Sequence, residues 1–364
     1  MIGKAIPMKM RSSAFPIFGA TLASAMLAEG GALRDYTQSA TYDIGVNEAS
    51  GVTYNRDTGT LFSIGDEGEA LYQISKTGQA IDRMTFDNSQ PRGNRALDDP
   101  EGVSYMGAGK FIIADERIGT GWITAYAAGT QVGVGVMQGL VVAGTNDSNS
   151  GLEGVGYDPI TDSLWGVKEA NPIGIFMLSN VSGGGQRVTT IPFPSNRFTR
   201  AGITSLSDIY IMASCASFAL DDPRRMHILV LARNENLLLE MTRTGEIVDT
   251  LDISRFGKHT IEGLTMDDDG HIYLASEKSG TMADNLHVLW APGSAVSATG
   301  YGKIASSFSI SWSNGGNPVI LERSTTMEDG SWQPLTLSPT DVSTGTFNDA
   351  TAPADNAFYR IRRP

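Results

Sequence analysis

Acidic residues recur in pairs along the middle of this sequence, and each pair encloses two short apolar runs joined by a turn. The clearest pairs are Glu101 with Glu116, Glu153 with Glu169, and Glu262 with Glu277. Carboxylate oxygens are the ligands of hard divalent cations, and calcium accepts six to eight oxygens in flexible geometry. The spacing therefore predicts a calcium site, provided that the fold brings the pairs to one place.

Two further stretches extend the pattern less regularly. They are Ser50 with Asp66 and Glu67, and Asp208 with Asn234 or Glu235. The predicted metal ligands are then Glu67, Glu101, Glu116, Glu153, Glu169, Asp208, Glu262 and Glu277. The four histidines are scattered and Cys215 is the one cysteine, so the sequence has no zinc-like spacing. Magnesium would prefer fewer protein ligands and more waters, which favours calcium.

The predicted pairing raises an electrostatic problem. If the first hairpin turns between Gly107 and Lys110, Glu101 and Glu116 fall directly opposite each other, where like charges are destabilising. A bound cation would offset this repulsion. The alternative is that the glutamates cap strand ends or pair with the neighbouring bases Arg117, Lys168 and Lys278.

An internal repeat indicates the elements that position these residues. The segments EASGVTY, DPEGVSY, GLEGVGY, SLSDIYI and TIEGLTM place Gly51, Gly102, Gly154, Asp208 and Gly263 at intervals of 51 to 55 residues. Each repeat reads as four short strands separated by turn residues, and repeats of this length are typical of propeller blades. The sequence predicts an all-β fold with a five-bladed β-propeller over residues 36–292, and a β-solenoid is the alternative. The acidic pairs would then meet at one mouth of the central channel.

The ends of the repeat region carry two more predictions. The last repeat is one strand short, and Asp35 to Ile44 alternates like a strand, so this segment is expected to complete the last blade. After Pro292, the small-residue stretch GSAVSATGYG reads as a linker, and residues 303–364 read as a small β-sandwich module with Trp312 and Trp332 in its core. The module resembles C-terminal sandwiches of exported proteins, which implies cell-envelope attachment; a stabilising appendage is the alternative.

The composition and the N-terminal sequence limit which partners and which cellular compartment are possible. A net charge of −13 argues against nucleic-acid binding, which needs clustered Lys and Arg. Residues 1–25 have basic residues, an apolar run and a small-residue site, the pattern of a secretory signal peptide, with Met26 as the new N-terminus. The sequence predicts a periplasmic or secreted protein without a transmembrane segment in the mature chain; a disordered leader or an uncleaved anchor is the alternative.

Several motifs resemble the SdiA-regulated family, the YjiK-like propellers. They are DDPEGVSY, ADER, GLEGVGYDP, KEANPIGIF, LLLEMTRTGEIV and IEGLTMDDDGHIYLASE, and the resemblance covers about Asn47 to Trp290. It implies a five-bladed propeller with calcium at a shared site. Where similar chains have Ser-Asp-Glu in the fourth repeat, this chain has Ala232-Arg233-Asn234. That departure exchanges a carboxylate for a cation near the mouth.

Two functions fit these predictions. The first is an exported calcium-binding propeller that recognises a ligand or a protein partner at the acidic mouth. The second is a calcium-dependent hydrolase, lactonase-like or phytase-like, in which His259 could act as a general base beside a metal-bound water. The recurring Tyr54, Tyr105 and Tyr157 are interpreted as packing between blades and not as a ligand cage.

Overall fold

The structure is a computed structural model. It describes residues 32–46, 48–87, 89, 97–147, 149–183, 185–256, 260–277, 284–291, 297–304, 307–313, 319–326, 331–338, 345–353 and 357–362. The signal-peptide prediction, His259 and Lys278 lie outside these residues. The chain divides into two compact units, one spanning residues 28–293 and one containing residues 294–364. Within the described residues, no helix is long and apolar enough to cross a membrane.

The fold is all-β. The strands of the first unit are β1 (Thr37–Tyr42), β2 (Ala49–Asn55), β3 (Thr60–Gly65), β4 (Ala70–Ile74), β5 (Ala80–Phe86), β6 (Pro100–Gly107), β7 (Lys110–Asp115), β8 (Thr120–Ala125), β9 (Gln131–Val132), β10 (Gln138–Val141), β11 (Leu152–Asp158), β12 (Ser163–Lys168), β13 (Gly174–Ser179), β14 (Thr189–Thr190), β15 (Asp208–Ile211), β16 (His227–Ala232), β17 (Leu237–Thr242), β18 (Ile247–Asp252), β19 (Ile261–Met266), β20 (Ile272–Ser276) and β21 (Leu286–Trp290). Helical structure in the described residues is limited to the α-helix Asn196–Arg200 and the 3-10 helices Leu33–Asp35, Val134–Val136, Met212–Ser214, Pro223–Met226 and Ser254–Phe256.

These strands form five sheets in chain order. The strand orders are β2-β3-β4-β5-β9, β10-β8-β7-β6, β11-β12-β13-β14, β15-β16-β17-β18 and β1-β21-β20-β19. Strand β1 pairs antiparallel with β21, so the strand expected upstream of the first repeat does complete the last sheet. The first sheet has five strands where four were expected, because β9 pairs in parallel with β5. Strand β9 thereby covers an edge that would otherwise be open.

The first strands of the five sheets, called leading strands below, lie against one another. They are β2, β6, β11, β15 and β19. A Cβ atom on Gly102 would lie 2.6 Å from the Glu153 carbonyl oxygen, and one on Gly263 would lie 2.8 Å from the Val52 nitrogen. No side chain fits at such distances, so glycine is required at Gly102 and Gly263.

Side-chain hydroxyl groups also join the leading strands, two to three residues after the repeat glycines. The backbone N–H groups of Tyr54, Tyr105 and Tyr157 donate to Thr265, Thr53 and Ser104, respectively, over 2.9–3.0 Å. The leading strands therefore run side by side in the same direction. Their first residues all lie at one end, and these include the predicted ligands Glu101, Glu153 and Glu262.

Hydrophobic clusters fill the space between neighbouring sheets. One joins Trp165 and Ile175 of the third sheet to Ile228 and Leu239 of the fourth. Further clusters lie between the first and second, the second and third, and the fourth and fifth sheets. This burial, at roughly 25 cal/mol per Å² of apolar surface, holds the leading strands at fixed distances.

The second unit contains two three-stranded sheets. Its strands are β22 (Ser297–Ile304), β23 (Ser307–Ser313), β24 (Ile320–Ser324), β25 (Gln333–Pro334), β26 (Thr346–Asp349) and β27 (Phe358–Arg362), in the orders β22-β23-β26 and β25-β24-β27. The two sheets share a cluster that includes Phe308, Trp312, Leu321 and Tyr359. The linker interpretation is wrong for residues 297–302, which belong to β22 and pair with β23.

Candidate metal centre

A β-bulge begins the leading strand in four of the five sheets. Glu101 is the extra residue between the pairs Pro100–Asp115 and Gly102–Ala114. Ser50 and Glu262 occupy the same position in the first and fifth sheets, and the register also shifts around Glu153. The expectation that Glu101 lies directly opposite Glu116 is therefore wrong. A bulge re-aims the side chain that it carries, and here that side chain comes from the acidic position of the repeat.

The second acidic position of each repeat is the residue directly after the second strand. This position is occupied by Asp66, Glu116, Glu169, Arg233 and Glu277. In four sheets its backbone N–H donates to the carbonyl two residues before the bulge position; for Glu116 the acceptor is Asp99, at 2.9 Å. The first sheet thus contributes Asp66 here, and not Glu67 as the sequence suggested.

The structure gathers these side chains into one group, called the acidic mouth. It comprises Asp66, Asp99, Glu101, Glu116, Glu153, Glu169, Glu262 and Glu277. Charges on Glu262, Asp99, Asp66 and Glu116 all act on Glu101, so residues of three sheets meet there. Seven of these eight were recognised in the sequence as members of the acidic pattern. Asp99 is not part of the pattern read from the sequence. The feature that could have indicated it is the pair Asp98-Asp99 directly before the repeat motif.

One close grouping within the mouth is Asp99, Glu101 and Glu116, each of which offers a carboxylate oxygen within 4.8 Å of the others. Glu116 is 5 % exposed. One of its oxygens accepts the Gly151 N–H at 3.0 Å. The Arg117 guanidinium lies 2.7 Å from Asp99. One arginine therefore stands beside three carboxyl groups that crowd one another.

Burial and nearby carboxylates raise the pKa of five carboxyl groups of the mouth, those of Asp66, Asp99, Glu101, Glu153 and Glu262. Burial, opposed by Arg233, brings the pKa of Glu262 to about 8. Burial, together with a hydrogen bond between Asp99 and Glu116, raises the pKa of Asp99 to about 7. Burial and the Glu48 charge raise the pKa of Asp66 to about 6. Burial and neighbouring carboxylates hold the pKa of Glu101 and Glu153 well above the ordinary value. Without a cation, the mouth retains protons near neutral pH.

The fourth sheet contributes a cation to the mouth. Arg233 follows β16, and its guanidinium lies 2.6 Å from Glu262 and 3.6 Å from Glu277. The two candidates considered for this sheet, Asn234 and Glu235, do not take that place. Asn234 donates its backbone N–H to Ser205, and Glu235 accepts the N–H and the hydroxyl of Thr204. Arg233 therefore neutralises the side of the mouth next to the fifth sheet.

Asp208 does not join the other predicted ligands, which is a correction to the sequence prediction. It aligns with the repeat glycines, and a Cβ on Gly154 would lie 2.3 Å from its Cα. Its carboxylate accepts backbone N–H groups from Ile209 at 2.8 Å and Leu264 at 2.6 Å. The fully buried carboxylate thus links β15 to β19 at the level of the glycines. Burial raises its pKa well above the ordinary value.

Glu67 lies in a neighbouring group. With Glu48 and Asp66 it offers oxygens within 4.8 Å of one another, and both glutamates are solvent-exposed. A third group, Asp267, Asp269 and His271, already has a cation, since the Lys76 ammonium lies 2.8 Å from Asp267. Glu67 therefore borders the mouth, whereas the third group is a buried ion pair.

Two of the basic neighbours considered as partners of the glutamates, Arg117 and Lys168, bond other groups. Arg117 bonds Asp99, and the Lys168 ammonium lies 3.2 Å from Asp147 and also bonds the Ser150 carbonyl. Oδ1 of Asp66 and the hydroxyl of Ser207 are enclosed without a hydrogen-bond partner in the described part of the chain. Buried polar atoms normally have partners. An all-oxygen donor set with unsatisfied atoms fits a hard cation such as calcium.

Solved structures with long alignments to this chain are only distantly similar to it. A gluconolactonase from Xanthomonas campestris aligns over 72% of this chain and 91% of its own, with 10% identity and a TM-score of 0.45. The calcium-binding protein regucalcin from Agrobacterium tumefaciens aligns over 69% and 93%, with 11% identity and a TM-score of 0.40. The β-propeller domain of Cps50 (Swd1) from Myceliophteria thermophila aligns over 77% and 83%, with 12% identity and a TM-score of 0.37. Similarity at this level assigns no activity.

The sequence comparison is more specific. The SdiA-regulated family model matches residues 34–279, which is more than half of the chain and spans all five leading strands. The motifs that suggested this resemblance fall within those bounds. The chain belongs to the SdiA-regulated family.

Proposed function

We propose that this protein is an exported calcium-binding β-propeller that recognises a ligand or a protein partner at its acidic mouth. The observation that carries the proposal is the meeting of Asp99, Glu101 and Glu116, whose oxygens lie within 4.8 Å of one another. Carboxyl groups so close together repel each other when ionised. A calcium ion would turn that repulsion into attraction.

The architecture in this proposal is a five-bladed propeller followed by a β-sandwich. Each of the five sheets would be one blade, with its leading strand along the central axis. Support comes from the close approach of the leading strands at their glycines and from the pairing of β1 with β21, which joins the two ends of the repeat region. The two sheets of the second unit, with their shared hydrophobic cluster, would form the sandwich.

The residues that would hold calcium are Asp99, Glu101 and Glu116, with Glu153 and Asp66 next to them. When bound, calcium supplies a positive charge and open coordination positions for oxygen atoms of a ligand. The protein's own part is to keep the carboxylates buried and fixed. The bulge at Glu101 and the hydrogen bond from Gly151 to Glu116 support that role.

The hydrolase alternative is not favoured by a specific observation. It depended on His259 as a general base, and His259 lies outside the described residues. The recognition function needs only the acidic mouth itself.

Calorimetric titration of the metal-free protein tests the proposal. We expect saturable calcium binding, with magnesium much weaker, because magnesium demands a rigid octahedral site and retains its water. Glu101→Gln should weaken calcium binding by at least about tenfold, since the charge of the ligand set controls affinity. The matched control is Glu246→Gln, which removes an exposed carboxylate outside the mouth. Equal affinity in all three proteins, or no heat of binding, overturns the proposal.

Arg233 provides a separate prediction. Arg233→Gln removes a positive charge that pairs with Glu262 and Glu277. We expect calcium affinity to rise on the order of tenfold, because a cation no longer competes for the carboxylates of the mouth. The metal-free variant should at the same time unfold at a lower temperature than the wild type. Titration of both proteins at equal ionic strength measures the effect, and weaker calcium binding by the variant would contradict it.

Export and attachment to the cell envelope are also part of the proposal. Export is supported by the charge and apolar pattern of residues 1–25, and attachment by a second unit with its own hydrophobic cluster. The N-terminal sequence of the protein recovered from the periplasm or medium tests export, with Met26 expected first. An N-terminus at Met1 in a cytoplasmic fraction would exclude it.

A further inference from the structure

A cavity of about 140 Å³ lies along the leading strands on the side away from the acidic mouth. Its wall begins at Val103 and Val155, directly after Gly102 and Gly154, and continues to Gly107 near the end of β6. The glycines of the leading strands and the Asp208 carboxylate lie between the cavity and the mouth. The cavity is therefore a second site, separate from the proposed calcium ligands.

The wall of the cavity is rich in tyrosine. Tyr54, Tyr105 and Tyr157 occupy the same position in three leading strands, and all three line the cavity. Their interpretation as packing residues alone was therefore incomplete. Two of the hydroxyls are fixed, since Tyr157 bonds Asp162 at 3.0 Å and Tyr105 bonds Asp57. These contacts hold the rings in place, so the wall is rigid before any ligand enters.

Tyr210 adds a polar group to this wall. It lines the cavity, and its side chain keeps some accessible surface although it lies deep in the first unit. Its hydroxyl has no hydrogen-bond partner in the part of the chain that the structure describes. A tyrosine hydroxyl can both donate and accept a hydrogen bond. The cavity thus offers aromatic faces together with the Tyr210 hydroxyl.

The cavity offers no free charge. Arg56 lies in its lining, but the guanidinium bonds the Ser214 carbonyl and lies 3.1 Å from Asp268. The remaining lining is mainly aliphatic, as at Val103, Val155 and Ile209. Transfer of an ion into such surroundings is costly. A charged ligand is therefore disfavoured.

We propose that this cavity binds one small uncharged aromatic molecule that carries a hydrogen-bonding group, of about the size of phenol. An apolar cavity of about 150 Å³ holds a benzene ring, so the volume matches a single six-membered ring. Aromatic walls give such a ring offset-stacked or edge-to-face contacts. The Tyr210 hydroxyl supplies the hydrogen bond that orients the ligand.

Titration of the full-length protein with phenol and with toluene, followed by calorimetry or NMR, tests the proposal. We expect both probes to bind at one site per chain, with phenol tighter. Tyr210→Phe should weaken phenol binding about fivefold, the effect of one hydrogen bond, and leave toluene unchanged. The matched control is Tyr126→Phe, which removes a hydroxyl that does not line the cavity. This control should change neither affinity.

A second variant blocks the cavity instead of altering its polarity. Met106 lies in the lining and is half-buried, so Met106→Trp can fill the space without disturbing a fully buried position. It should abolish binding of both probes while its melting temperature stays near that of the wild type. Chelator should have no effect on phenol affinity, because the cavity is separate from the mouth. The proposal is overturned if neither probe binds up to its solubility, or if either binds the Met106→Trp variant as tightly as the wild type.

Discussion

In chelator, the protein should lose stability as the pH is raised from 5 to 8, and millimolar calcium should abolish that loss. Folding raises the pKa of Asp66 from 3.8 to about 6, of Asp99 from 3.8 to about 7 and of Glu262 from 4.5 to about 8. Between the unfolded and folded values the folded state binds more protons than the unfolded state. The free energy of unfolding therefore falls with rising pH across this window.

The expected size of this effect is large. Each unit of pKa difference corresponds to about 1.4 kcal/mol, and the solvent that reaches Asp66 and Asp99 screens part of the total. We expect a loss of about 4 kcal/mol, or roughly 10 °C in melting temperature for a domain of this size. Melting curves at pH 5, 6, 7 and 8, with calcium and with chelator, measure it. A chelated protein whose melting temperature is flat or rises over this range would exclude the crowded mouth.

The stabilisation of the folded state by calcium should increase as the pH rises. The ion needs deprotonated carboxylates, so binding releases protons and strengthens at higher pH. Saturating calcium then stabilises the folded state by mass action. The difference in melting temperature between calcium and chelator should accordingly be smallest at pH 5 and largest at pH 8. Magnesium at the same concentration serves as the control for ionic strength.

Glu153→Gln should have two effects of opposite sign. Burial and the charges of Glu101 and Glu116 raise the pKa of Glu153 well above the ordinary value, so its ionised form is unfavourable in the metal-free protein. Replacing the carboxylate by an amide of the same shape relieves this repulsion. We expect the metal-free variant at pH 8 to be more stable by about 1 kcal/mol, or about 2–4 °C in melting temperature.

In the presence of calcium, the same variant should bind the ion more weakly than the wild type does. It has one charge fewer beside the proposed ligands, so calcium affinity should fall by about tenfold. If Glu153 were a strand-end cap paired with a base, its loss would destabilise the protein and calcium would have no effect. The comparison uses Glu246→Gln as the matched control, because that exposed glutamate lies outside the mouth. A destabilised metal-free Glu153→Gln protein with unchanged calcium affinity would support the cap.

The sequence by itself determined the repeat, the family and most of the acidic positions. Residues such as Gly51, Gly102 and Gly263 recur because the leading strands approach too closely there for a side chain. At these three positions only glycine satisfies that requirement, so it can be recognised in the sequence. The pairing of β1 with β21 could be predicted for a similar reason, because an incomplete repeat leaves a sheet edge to be filled.

Only the tertiary structure decided how the carboxylates meet. A bulge adds one residue without changing the pattern of residue types, so the position of Glu101 outside the regular ladder could not be read from spacing. The same applies to the fourth sheet. Strand β16 ends at Ala232, so the residue that reaches the mouth is Arg233, and not Asn234 or Glu235. Asp208 fills a glycine position, and its carboxylate accepts the backbone N–H of Leu264, which lies on a strand distant in the chain. The charges of the mouth, the pKa values and the cavity all depend on such distances between sheets. Those distances are fixed by hydrophobic burial between the sheets, which local sequence does not encode.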